Sequence, residues 1–191
     1  LELEYTKAFT FYKIGLCYKA AKKNMEALRA FQKSLREDPQ FYLSMMEQSY
    51  IYEEMGGMKE ALHFAKEAVS LNDNNLDYQK RLAFLFIDSG KFEESLECLK
   101  KLVDYEPTRF YNWYAYSEVL MLIGDFEDAI KVLKSATQMH NRAELYYQLS
   151  NCYFHLNNQK EGRLALSTAL DLDPQLLEDM KQKYPFIKDE A

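Results

Sequence analysis

Large, small and polar positions recur along this chain with a period of 34 residues, most plainly at Gly56, Gly90 and Gly124 and, five positions on, at Ala61, Ser95 and Ala129. Extending that register gives repeats over 8–41, 42–75, 76–109, 110–142 and 143–175. The eighth position of each is small (Gly15, Ser49, Ala83, Ser117, Ser150), and so is the twentieth (Ala27, Ala61, Ser95, Ala129, Gly162). Small residues at those two places let a pair of helix backbones approach closely while the large residues around them fill the gaps. Each repeat therefore predicts a helical hairpin. Its first helix runs to a turn such as Met55-Gly56-Gly57 or Ser89-Gly90-Lys91, where glycine can adopt the left-handed cap. Its second helix stops near Asp38-Pro39, Glu106-Pro107 or Asp173-Pro174.

Repeat one carries Phe11, Ile14-Gly15, Tyr18, Ala27, Phe31 and Pro39, and repeat three carries Leu82-Ala83, Phe86, Ser95, Leu99 and Pro107. Repeat four has Trp113, Tyr116-Ser117, Leu120, Ala129 and Leu133, and repeat five Tyr146, Leu149-Ser150, Tyr153, Gly162, Leu166 and Pro174. In this series the chain resembles the tetratricopeptide repeat family. The resemblance implies an all-α fold, a right-handed solenoid of antiparallel helix pairs whose concave side is lined mainly by first helices. Repeat two departs from the pattern, with Gln48 where a large apolar residue is expected, Ala65 in place of Phe or Leu, and Asn72-Asp73 in place of Asp-Pro, which predicts looser packing. Repeat four is one residue short and ends in Met139-His140-Asn141-Arg142. Leu1-Glu2-Leu3-Glu4 matches Leu170-Asp171-Leu172-Asp173, so residues 1–7 read as the end of a truncated preceding repeat, with more protein upstream. Residues 176–191 read as a capping helix and tail, the helix presenting Leu176, Leu177, Met180 and Tyr184 before Pro185.

Composition agrees with a helical chain, since Gly and Pro number only 6 and 4 and hydrophobic residues make up 48%. The formal charge of −6 is spread along the sequence, which argues against nucleic acid as a partner. No apolar run approaches the ~20 residues that cross a bilayer, so membrane insertion is not expected. Cys17, Cys98 and Cys152 read as buried thiols, which suits a reducing compartment and points to the cytoplasm. No phosphate-binding glycine loop, zincin motif or nucleophile elbow is present, so no catalytic residue and no cofactor is assigned. Cys152 and His155 share a helical face but lack further ligands nearby, and no metal site is assigned. Glu53-Glu54 and Glu93-Glu94 are adjacent pairs that point to different sides of a helix and cannot act together on one substrate.

In the family the ligand follows the second, fifth, ninth, twelfth and thirteenth positions of successive first helices. Carried onto this chain, that register nominates Tyr12, Leu16 and Lys19, then Met46, Tyr50 and Glu53, then Lys80 and Phe84. In the last two repeats it nominates Tyr111, Tyr114 and Glu118, then Tyr147, Asn151 and Phe154. The hairpin core does not require these positions to be aromatic, and aromatic side chains give a binding surface area with few rotamers to freeze. The expected partner is a protein or peptide with apolar anchors, held on a non-catalytic scaffold. The Lys-and-Asn carboxylate clamp of chaperone-tail binders is missing, since Tyr12 and Leu16 occupy its first two places. Two readings compete with the groove: a self-associating, homo-oligomeric scaffold, and the substrate-recruiting arm of a larger enzyme whose catalytic domain lies upstream.

Overall fold

The computed structural model describes residues 2–175 as ten helices: α1 Glu2–Ala20, α2 Asn24–Glu37, α3 Tyr42–Glu54, α4 Met58–Leu71, α5 Leu76–Asp88, α6 Phe92–Tyr105, α7 Phe110–Leu122, α8 Phe126–Met139, α9 Ala143–His155 and α10 Gln159–Leu172. The predicted capping helix over 176–191 lies outside the described residues. The chain divides into two compact units, Leu1–Cys98 and Leu99–Ala191, with the boundary inside α6.

Five hairpins follow from one backbone device. The fifteenth position of every repeat is left-handed: Gly56, Gly90 and Gly124 have φ of 80°, 67° and 82°, while Lys22 and Asn157 reach 57° without being glycine. In each case the next N–H reaches back to a carbonyl of the first helix, as Gly57 N does to Tyr52 O at 2.7 Å and Asp125 N to Leu120 O at 2.9 Å. That closure satisfies an orphan carbonyl at the helix end and turns the chain into the second helix.

Packing follows the small columns. Gly15, Ser49, Ala83, Ser117 and Ser150 are buried at position eight, and Ala27, Ala61, Ser95, Ala129 and Gly162 at position twenty. A Cβ on Gly15 would clash with the edge of the Phe31 ring, and one on Gly162 would lie 2.6 Å from Phe154. In the eighth column Ser117 donates to Gln148 Oε1 at 2.7 Å and Ser49 accepts from Arg81, while the buried Ser150 hydroxyl has no partner. Ser34 joins the Ala8 carbonyl to Ser44 through bonds of 2.8 Å on either side.

Two local features stand out. The helix α1 runs unbroken from Glu2 through Ala8, and residues 1–14 contain neither glycine nor proline to stop it. Repeat two is also better tied than its sequence suggests. Asn75 caps α5 by accepting from Tyr78 N at 3.1 Å, Gln79 Nε2 donates to Asp73 O at 3.0 Å, and Phe64 stacks on Tyr52 at 5.5 Å. Gln48 remains anomalous, since it is fully buried and neither amide atom has a partner.

Candidate protein-binding surface

In the first unit the nominated face is closed by the chain's own cations. Lys19 of α1 donates to Glu47 of α3 at 2.6 Å and lies 4.7 Å from the centre of the Tyr50 ring. Arg81 of α5 places its guanidinium carbon 3.5 Å from the same ring centre. Its Nη1 donates to Glu53 at 3.0 Å, and its Nε and Nη2 donate to Ser49 Oγ at 3.3 and 3.2 Å. The Arg81 side chain is 10% exposed, so these bonds form largely away from water, where charge-assisted contacts are stronger. Beside them an open groove of about 530 Å³ is lined by Tyr50, Tyr78, Lys80 and Phe84. Burial, reinforced by Tyr12, Tyr42, Glu47 and Tyr50, pushes the Tyr78 phenol up to about 12.

The other nominated residues of this unit divide between core and surface. Tyr12 and Leu16 pack against the cluster of Ala27, Leu28, Phe31 and Ile51, with Tyr12 set between Phe31 and Phe41 at 6.0 and 5.6 Å. Met46 is only 2% exposed, yet it lines the groove beside Tyr50 from below, so it is a core residue that also borders the face. Lys80 is exposed and Phe84 is 44% exposed, so they do face outward. Sequence reasoning missed Glu47 and Arg81, both at position six, which the family register leaves out. The available signal was charge, since that position holds Lys13, Glu47 and Arg81 in the first three repeats but Ala115 and Gln148 in the last two.

In the second unit the face is more open. Tyr111, Tyr114, Glu118 and Leu122 form one stripe of α7 at spacings of three, four and four. Tyr111 is 71% and Leu122 60% exposed. On α9, Glu144, Tyr147 and Asn151 are half-buried. Burial, and then the negative charges of Glu118 and Glu144, push the Tyr114 phenol up. Arg142 donates to Glu144 at 3.0 Å, which holds that carboxyl below its usual range, and its guanidinium lies 4.5 Å from the centre of the Phe110 ring. Phe154 belongs to the α9–α10 packing, where it lies over Gly162.

The cysteines differ from expectation in one case: Cys98 and Cys152 are buried, whereas Cys17 is exposed, since no second helix precedes α1 among the described residues to cover it. Burial raises the Cys152 thiol to about 11, so it stays protonated and is a poor nucleophile. His155 stacks on Phe126 at 4.3 Å. No group of three His, Cys, Asp or Glu among the described residues could hold a metal ion, and none of the described helices is long and apolar enough to cross a membrane.

Tetratricopeptide repeat profiles match residues 9–40, 81–141 and 143–176, together well over half of the chain. The chain belongs to the tetratricopeptide repeat family. Its all-α solenoid fold is that of YrrB, a TPR protein with an unusual peptide-binding site, at a TM-score of 0.76 and 17% identity over 92% of this chain and 91% of that one. A MamA crystal structure aligns at a TM-score of 0.74 and 16% identity, covering 95% and 97% of the two chains. In sequence, the chain is 27% identical over 105 residues to human general transcription factor 3C polypeptide 3, an alignment covering 55% of this chain and 12% of the relative. It is 24% identical over 145 residues to the mouse N-alpha-acetyltransferase 16, NatA auxiliary subunit, covering 75% of this chain and 17% of the relative. The chain thus spans less than a fifth of the length of these curated relatives. As a TPR scaffold it has a fold compatible with protein–protein interaction.

Proposed function

We propose that the first-helix faces of this TPR chain hold a protein or peptide segment through apolar anchors, without catalysing a reaction. One observation carries the reading: Tyr111 and Leu122 stay exposed on one face of α7 although the small columns of the same repeat are fully closed. A single exposed apolar side chain is ordinary. A stripe containing Tyr111 and Leu122 three turns apart on one helix supports a docking surface, since aromatic side chains with few rotamers carry much of the energy at interfaces.

The test is selection of binders from a random library of short peptides on the purified chain, followed by affinity measurement on Y111S/L122S. These side chains lie outside the core, so the variant should keep its thermal midpoint. Selected peptides should lose at least about tenfold in affinity to it. Equal affinity for both proteins would remove the site. A pure chain that dimerises through the same two residues would reassign the face to self-association.

A further inference from the structure

The first unit displays what its aromatic, carboxylate-bearing face requires: a cation over the ring, tied to an acid. Lys19 with Glu47 and Arg81 with Glu53 supply that for Tyr50. The second unit repeats the aromatic and acidic half of this arrangement. Tyr114 and Glu118 lie one turn apart on the α7 stripe that exposes Tyr111, and burial, with the charges of Glu118, Glu144 and Tyr147, raises the Tyr114 phenol. The cationic half is mostly missing. Arg142 serves Glu144 and Phe110, and Glu118 has no ion-pair partner among the described residues. Position six, which supplies Arg81 in the first unit, is Ala115 in α7 and Gln148 in α9, and Gln148 is turned inward to Ser117.

We infer that the α7–α9 face docks a partner segment carrying arginine or lysine between apolar residues, its cation completing the Tyr114, Tyr147, Glu118 and Glu144 cluster while the apolar residues lie on Tyr111 and Leu122. This rests on the proposed peptide-binding role and names the chemistry of the partner. The warrant is charge complementarity together with the attraction of cations to aromatic faces. An acidic segment would meet like charge from the exposed Glu118 and the half-buried Glu144.

Three synthetic peptides of one length, each with two leucines, serve as probes; they differ only in carrying two arginines, two glutamates or two glutamines. Fluorescence anisotropy should rank the arginine peptide about tenfold or more above the glutamine peptide, with the glutamate peptide weakest and the preference shrinking as salt rises. In E118Q/E144Q, whose fold is checked by circular dichroism, the arginine preference should vanish while glutamine-peptide binding persists. If arginine and glutamine peptides bind wild type equally, this inference falls and the peptide-binding role stands. If no probe binds, both fall, and an arginine preference that survives E118Q/E144Q places the cation elsewhere.

Discussion

In the first unit Tyr50 is covered by Lys19 and Arg81, and each cation is held by a carboxylate; in the second, Tyr111 lies open to solvent, and Glu118 has no ion-pair partner among the described residues. Both faces are built on first helices but from different columns, Tyr50 at position nine and Tyr111 at position two. Position six sharpens the difference, since it supplies the charged Glu47 and Arg81 in the first unit and the uncharged Ala115 and Gln148 in the second. Repeat register therefore fixes which residues line a face. Whether the face is already satisfied depends on a position outside that register.

Arg81→Ala should break this comparison most severely. It removes a 10%-exposed guanidinium with bonds to Ser49 and Glu53, and we expect a loss of about 2–3 kcal/mol. The corresponding change in the second unit, Arg142→Ala, removes a half-exposed ion pair and should leave stability nearly unchanged. Hydrogen exchange reads the contrast directly. Faster exchange in α3 and α5 is expected for Arg81→Ala, and unchanged protection there would mean that the clamp contributes nothing.

The units should also differ in alkali. Cys152 in the second is raised to about 11 and Tyr78 in the first to about 12, both by burial. A group whose folded value is raised gives stability that is whole below its unfolded value and lost as pH climbs through the folded one. The second unit should therefore weaken from about pH 9 to 11, by on the order of 1–2 kcal/mol, and the first only from about pH 10 to 12. Urea midpoints followed across that range should lose their pH 9 to 11 slope in Cys152→Ala. A slope that persists in the variant assigns the titration to another group.

Two buried glutamines give a contrast of sign. Gln48 in the first unit has no partner at either amide atom, whereas Gln148 in the second accepts from Ser117 at 2.7 Å. Gln48→Leu should stabilise by about 1–2 kcal/mol, because an unmade hydrogen bond is exchanged for apolar burial, and Gln148→Leu should cost about 1 kcal/mol. Shifts of the same sign in the two thermal midpoints would show that the Gln48 amide has a partner after all, such as a trapped water.

The helix starts at Tyr42, Leu76, Phe110 and Ala143 are legible in the sequence because close backbone approach demands small residues at two fixed positions, and few other folds write that pattern. The working surface is less legible. Tyr12 and Tyr111 are both groove-register tyrosines, yet one is wedged between Phe31 and Phe41 and the other is 71% exposed. An aromatic residue suits a core and an interface equally, and cross-helix neighbours decide which it joins. Met46 belongs to both, 2% exposed and still bordering the groove beside Tyr50.

The smallest contrast concerns the turns that all five hairpins share. Position fifteen is left-handed throughout, and only Lys22 in the first unit and Asn157 in the second adopt it without being glycine. For lysine that conformation brings Cβ toward the following carbonyl, while asparagine tolerates it through its short polar side chain. Lys22→Gly should therefore stabilise by about 0.5–1 kcal/mol, after the greater freedom of glycine in the unfolded chain is deducted, and Asn157→Gly by roughly half of that or less. Chemical denaturation of the two single variants and the double variant measures both terms and whether they add. A gain at Asn157 exceeding that at Lys22 would show that side-chain contacts, not backbone strain, govern these turns.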